Sequence, residues 1–83
     1  MVYEKVYVKV LAEFSLGGGI IPTAIIWRDG ERYYIDRVKE KVLAPCRSGG
    51  VLTTRYTVVV YGKEKYLYYE KDKERFFVER ELL

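Results

Sequence analysis

Histidine is absent from this chain, and cysteine, tryptophan and methionine occur once each. Without imidazole there is no ordinary general base at neutral pH, no usual nitrogen ligand for a metal and no Ser-His or Cys-His nucleophilic pair. A single cysteine, Cys46, excludes an internal disulfide. No apolar run approaches the ~20 residues of a membrane helix, and no charged, apolar and small-residue succession reads as a signal peptide. These absences predict a cytoplasmic protein, off the membrane, that is not an enzyme and carries no metal or cofactor.

What is present is enough for one core. A chain of 83 residues makes a single domain, 1–83, and 49% hydrophobic residues is too many for a disordered tail. Glycines at 17–19, 30, 49–50 and 62 separate β-rich runs. Val2 to Phe14 alternates, with Val6, Val8, Val10, Ala12 and Phe14 on one side and Tyr7, Lys9, Leu11 and Glu13 on the other. Pro22 places the start of the next run at an edge or a bulge. Asp29-Gly30 is a strong hairpin signal joining strands 21–28 and 31–43. A two-residue turn there sets Arg28 opposite Glu31, Trp27 opposite Arg32 in a cation–π pair, Ile26 opposite Tyr33 and Ile25 opposite Tyr34.

Residues 36–43 suit a helical turn or a strand; the strand is preferred because the preceding run enters it without a cap. After the strand at 51–61, Gly62-Lys63 reads as a two-residue turn pairing Val60 with Lys65, Val58 with Leu67 and Tyr56 with Tyr69. The last strand, 75–79 or slightly beyond, follows the charged loop Lys71-Asp72-Lys73. The expected fold is all-β: a six-stranded antiparallel meander forming a small β-barrel or two orthogonally packed sheets. Val6, Val8, Val10, Ile35, Tyr56, Val58, Leu67 and Val78 form its core.

Few residues suggest chemistry. Beside Cys46, Arg47 can favour a thiolate and the Gly49-Gly50 amides can cradle an anion, yet no base or resolving thiol accompanies them. A loop cysteine without a duty is the simpler reading. Asp36 and Glu40 can share a strand face, but two carboxylates do not make a coordination shell.

Charge is more suggestive, because the whole excess of +3 falls within residues 28–55. On a regular strand Arg37, Lys39 and Lys41 line one face, and Arg47 and Arg55 extend this candidate nucleic-acid-binding surface. A solvated, aggregation-resistant strand face is the plainer account. Tyr61, Tyr66 and Tyr68 fall on the face opposite Val58 and Leu67, at least partly wet, as a candidate interface for protein or unpaired bases. Cross-strand packing alone accounts for them equally well.

Pro22-Thr23-Ala24-Ile25, Trp27, Asp29-Gly30, Arg32-Tyr33, Ile35-Asp36-Arg37-Val38, Gly49-Gly50, Arg55-Tyr56-Thr57, Tyr66-Leu67 and Phe77-Val78-Glu79 resemble a small all-β family of Gram-positive bacteria of unknown function. That resemblance implies a shared fold and no reaction. Glu31 stands where that family suggests a basic residue. More loosely, the order of Trp-containing hairpin, basic strand and closing Phe-Val-Glu strand is similar to small proteins associated with translesion DNA polymerases. The expected function is a protein-interaction or self-associating module, a homodimer or the partner of another protein, using strand edges, tyrosines, Leu11 and the Leu82-Leu83 tail. The alternative is a non-specific nucleic-acid-binding barrel linked to DNA repair.

Overall fold

Alternating β-branched and aromatic residues extend the chain over nearly its whole length. The computed structural model describes residues 2–49 and 52–82, without the side chain of Leu82, and contains no helix there. Gly50 of the loop cradle, Val51 at the expected strand start and Leu83 of the apolar tail lie outside the described residues.

Among the described residues there are seven strands rather than six: β1 (Val2–Phe14), β2 (Ile20–Ile26), β3 (Arg32–Tyr34), β4 (Arg37–Pro45), β5 (Leu52–Val60), β6 (Lys63–Glu70) and β7 (Arg75–Leu82). They form one sheet in the order β3-β2-β1-β7-β6-β5-β4. This is chain order read round a circle, with Val6 of the first strand opposite Val78 of the last. The seam lies between β3 and β4. The expected strand 31–43 breaks there, because the Ile35 amide donates to the Thr23 carbonyl of β2 at 3.0 Å and the Asp36 amide to the Val59 carbonyl of β5 at 2.8 Å. Adjacent residues thus bond to the penultimate strands at opposite ends of the sheet, which curls into a half-barrel.

Long strands turn the corners. β1 pairs with β7 through Val8 and with β2 from Lys9 onward, as strands do where two layers cross. Pro22 lies beside a bulge, since Leu11 faces Ala24 while Ala12 faces Pro22. Residues 37–45 are a strand, with Lys39 bulged out between the Val38–Val58 and Glu40–Thr57 pairs.

Both hairpins differ in register from the expectation. At Asp29-Gly30, Ile26 faces Arg32, Ile25 faces Tyr33 and Ala24 faces Tyr34, a slip of one residue. The cause is that Gly30 alone in this loop takes a positive φ, 89°. The Asp29 carboxylate instead accepts the Glu31 amide at 2.9 Å. The Gly30 amide closes a turn on the Trp27 carbonyl at 2.9 Å, giving a three-residue loop that ends in a left-handed glycine. The cation over Trp27 is consequently Arg28, 5.8 Å from the ring centroid, and not Arg32.

The second turn is Tyr61-Gly62, with φ of 50° and 74°. Val60 faces Lys63, Val58 faces Lys65 and Tyr56 faces Leu67, two residues from the expected register. A two-residue shift preserves the faces. The core therefore matches its expectation closely: Tyr56, Val58 and Leu67 are buried with Ile25 and Val60, flanked by Val8, Val10, Ile35 and Val78. Val6 is buried as well, but Phe14, the last residue of β1, is 83% exposed.

The Tyr61-Gly62 turn gives a direct test. A Cβ at Gly62 meets no atom within 4 Å, so Gly62→Ala costs only the left-handed backbone, about 1–2 kcal/mol. Gly17→Ala, at a glycine without positive φ, should be close to neutral. Urea unfolding of both variants measures the difference, and equal midpoints would contradict this turn.

Candidate functional site

β6 and β7 pair over only three residues each, Tyr68 with Phe77, Tyr69 with Phe76 and Glu70 with Arg75. Beyond them β6 follows β5 to Lys63, while β7 follows β1 to Leu82. On the sides that face each other, 63–67 and 78–82 have no ladder partner among the described residues. A cleft of about 500 Å³ opens between them. Ile25, Trp27, Tyr33, Val60 and Val78 line it from the core side, Tyr3, Arg47, Tyr66, Tyr68 and Glu79 from the outer side, with Glu64 and Lys65 along the β6 edge.

The outer side belongs to an aromatic row crossing the sheet. Tyr7 meets Phe77 edge-on at 5.7 Å, Phe77 stacks on Tyr68 at 5.1 Å, and Tyr68 meets Tyr66 edge-on at 6.4 Å. Arg55 lies 4.4 Å from the Tyr66 centroid, and Arg47 lies 5.9 Å from Tyr66 and 5.3 Å from Tyr3. Arg47 also donates to the Tyr3 hydroxyl at 3.3 Å.

A short strap covers part of this row. After β4, Cys46 packs against Tyr68 and Phe77, and its thiol donates to the Gly49 carbonyl at 3.0 Å. The Gly49 amide closes on the Cys46 carbonyl at 3.1 Å, and the Ser48 amide donates to the Glu79 carboxylate. The Gly49 amide of the expected anion cradle is thus already committed within the protein. Beneath the strap, burial first, then the hydrogen bond to Glu79 and its charge, push the Tyr68 phenol up to about 12, against the opposing pull of Arg55 and Arg47.

The expected basic face does not form. The Lys39 bulge breaks the alternation, so Val38 and Lys41 both lie on the core side, opposite Val58 and Tyr56. Lys41 sits 5.4 Å from the Tyr56 ring centroid. Lys39 pairs with Glu64, and Arg37 stands opposite Val59 on the outer side. Of the five basic candidates, Arg47 and Arg55 converge on Tyr66. The tyrosine set divides too: Tyr66 is 40% exposed, Tyr68 is 1% exposed instead of partly wet, and Tyr61 in the turn meets Tyr33 at 6.2 Å. The same bulge separates Asp36 from Glu40, which approaches Arg55 at 3.7 Å.

Tyr3, Tyr33, Lys65, Val78 and Glu79 join the site without having been candidates. Only Tyr3 carried a signal, since Tyr3, Lys5 and Tyr7 alternate opposite Val6 and Val8. Nothing in the sequence marks where β6 and β7 part. No family model, curated protein or solved structure matches the chain, so the reading of the site rests on its geometry. Among the described residues no helix is long and apolar enough to cross a membrane.

Arg75 closes the far end of the row, its guanidinium 3.8 Å from the Tyr7 centroid and its Nε donating to Glu70 at 2.9 Å. Burial alone would push the Glu70 carboxyl up, but hydrogen bonds from Arg75 and Tyr7, with the charges of Lys73 and Arg75, together hold it below the usual range. A depressed carboxyl adds stability above its unfolded pKa and loses it as pH falls through the folded value. Glu70→Gln should therefore be less stable than wild type at pH 7, with the gap narrowing on acidification below about pH 4. Denaturation midpoints across that range measure it, and a constant gap would exclude this role for Glu70.

Proposed function

We propose that this chain is a binding module, without a reaction of its own, that takes an extended segment of another polypeptide into the cleft between β6 and β7. One observation carries the reading: two unpaired strand edges face each other across a floor of apolar side chains. Such edges are templates for a further strand. In strand addition, main-chain hydrogen bonds provide affinity and pockets for alternate side chains provide specificity. Ile25, Val60 and Val78 offer the pockets, and Trp27, Tyr66 and Arg47 are residue types that dominate binding energy at interfaces.

The convergence of Arg47 and Arg55 on Tyr66 favours a second reading, a single-stranded nucleic acid stacked on that ring. Glu40, Glu64 and Glu79 interleave with these cations, and Lys41 lies on the other face, which together weaken any continuous track for phosphates. The polypeptide reading is therefore preferred.

Selection of displayed random peptides against the folded chain tests it. The expected result is a family of sequences with apolar residues at alternate positions, binding at about micromolar Kd and slowing exchange of the cleft-facing amides in 63–67 and 78–82. Binding should fall with Val78→Arg and with the more exposed Tyr66→Ala, which guards against a folding defect in the first variant. Recovery of no family, or of one indifferent to both changes, would remove the cleft as the site.

A further inference from the structure

The charges at the cleft differ in how fully they are satisfied. Its carboxylates are engaged: Glu64 pairs with Lys39, and Glu79 accepts the Ser48 amide. Its cations lack carboxylate partners, although Arg47 donates to the Tyr3 hydroxyl and lies over the Tyr3 and Tyr66 rings. Among the described residues Arg47 and Lys65 have no carboxylate within ion-pair distance. Arg55, on the far side of Tyr66, has a buried Nε without an acceptor, and its contact with Glu40 is long at 3.7 Å.

We infer that the occupant is an acidic strand, an extended segment in which carboxylate and apolar side chains alternate. The inference rests on the strand-docking reading above. Successive side chains of a strand point to opposite sides. Those turned to the core side meet Ile25, Val60 and Val78, with Lys65 on the same side opposite Val58, and those turned outward meet Arg47 beside the already engaged Glu64 and Glu79. Guanidinium and carboxylate match in charge and in planar hydrogen-bonding geometry. A nucleic acid brings anions but neither the row of amides and carbonyls that the two edges require nor the alternate apolar groups.

Trp27 is the single tryptophan and lines the cleft, so its emission reports occupancy. The chain is titrated at low salt with a short Val-Glu alternating peptide, its Val-Ser and Val-Lys counterparts, and a short oligothymidylate. The Val-Glu peptide should give a saturable change with a Kd at least about tenfold below that of Val-Ser, weakening as salt is added. Arg47→Glu should abolish the preference, and Arg47→Glu with Lys65→Glu should transfer it to the Val-Lys peptide. Equal binding of acidic, neutral and basic peptides overturns the acidic occupant and leaves strand docking intact. Absence of binding by every peptide overturns both. Tighter binding of the oligothymidylate overturns a polypeptide occupant in favour of nucleic acid.

Discussion

Two consecutive amides determine the shape of this molecule. Ile35 bonds back to Thr23 on β2, and Asp36 bonds forward to Val59 on β5, so one peptide step ties together the strands next to the two ends of the sheet order. Each bond contributes only about 0.5–1.5 kcal/mol net. Their effect is geometric: with the ends tied, the sheet curls, and its concave face encloses Tyr56, Val58 and Leu67. Burial then supplies the energy, about 1.5–3 kcal/mol for each fully buried aliphatic side chain. The Tyr56 hydroxyl avoids a desolvation penalty by donating to the Ile20 carbonyl at 2.9 Å.

The cleft follows from the same constraint. The Asp36–Val59 bond and the Tyr33–Tyr61 ring contact draw the β5–β6 hairpin toward β2 and β3. β7 is held differently, because its far half pairs with the part of β1 that precedes Lys9 and has no bond to β2. β6 stays paired with β5 and β7 with β1, and the ladder between them ends at Tyr68–Phe77. Side chains from the core side, Ile25 and Trp27 among them, thereby become the floor of an opening in the wall of the half-barrel.

Much of this architecture was legible in the sequence because alternation determines which face a residue occupies. Val6, Val8, Val10, Tyr56, Val58, Leu67 and Val78 all fall on the core side as their periodicity requires. Registers were less legible, since they depend on which residue accepts a left-handed backbone. At Asp29-Gly30 only the glycine does so, and at the second turn a tyrosine does, against its steric preference. The bulge at Lys39 was hidden for another reason: Lys39, Glu40 and Lys41 are all charged, so neither phase of the strand is marked by an apolar residue. The basic stripe expected at 37, 39 and 41 depended on that phase and disappears with it. The strap was hidden too, because packing of Cys46 on Tyr68 and Phe77 joins segments with no shared sequence pattern.

The placement of the unpaired edges also bears on how the protein tolerates them. An exposed edge invites a neighbouring sheet to pair with it, and β4, at one end of the sheet, has the usual protections of a bulge, lysines and a terminal proline. The edges at 63–67 and 78–82 lie inside the sheet order and face one another. A folded sheet presents its edge backed by further strands and cannot enter such a gap, whereas a single extended segment can bond to both walls. The geometry that protects these edges from indiscriminate pairing is therefore the same geometry on which the proposed docking of one isolated strand rests.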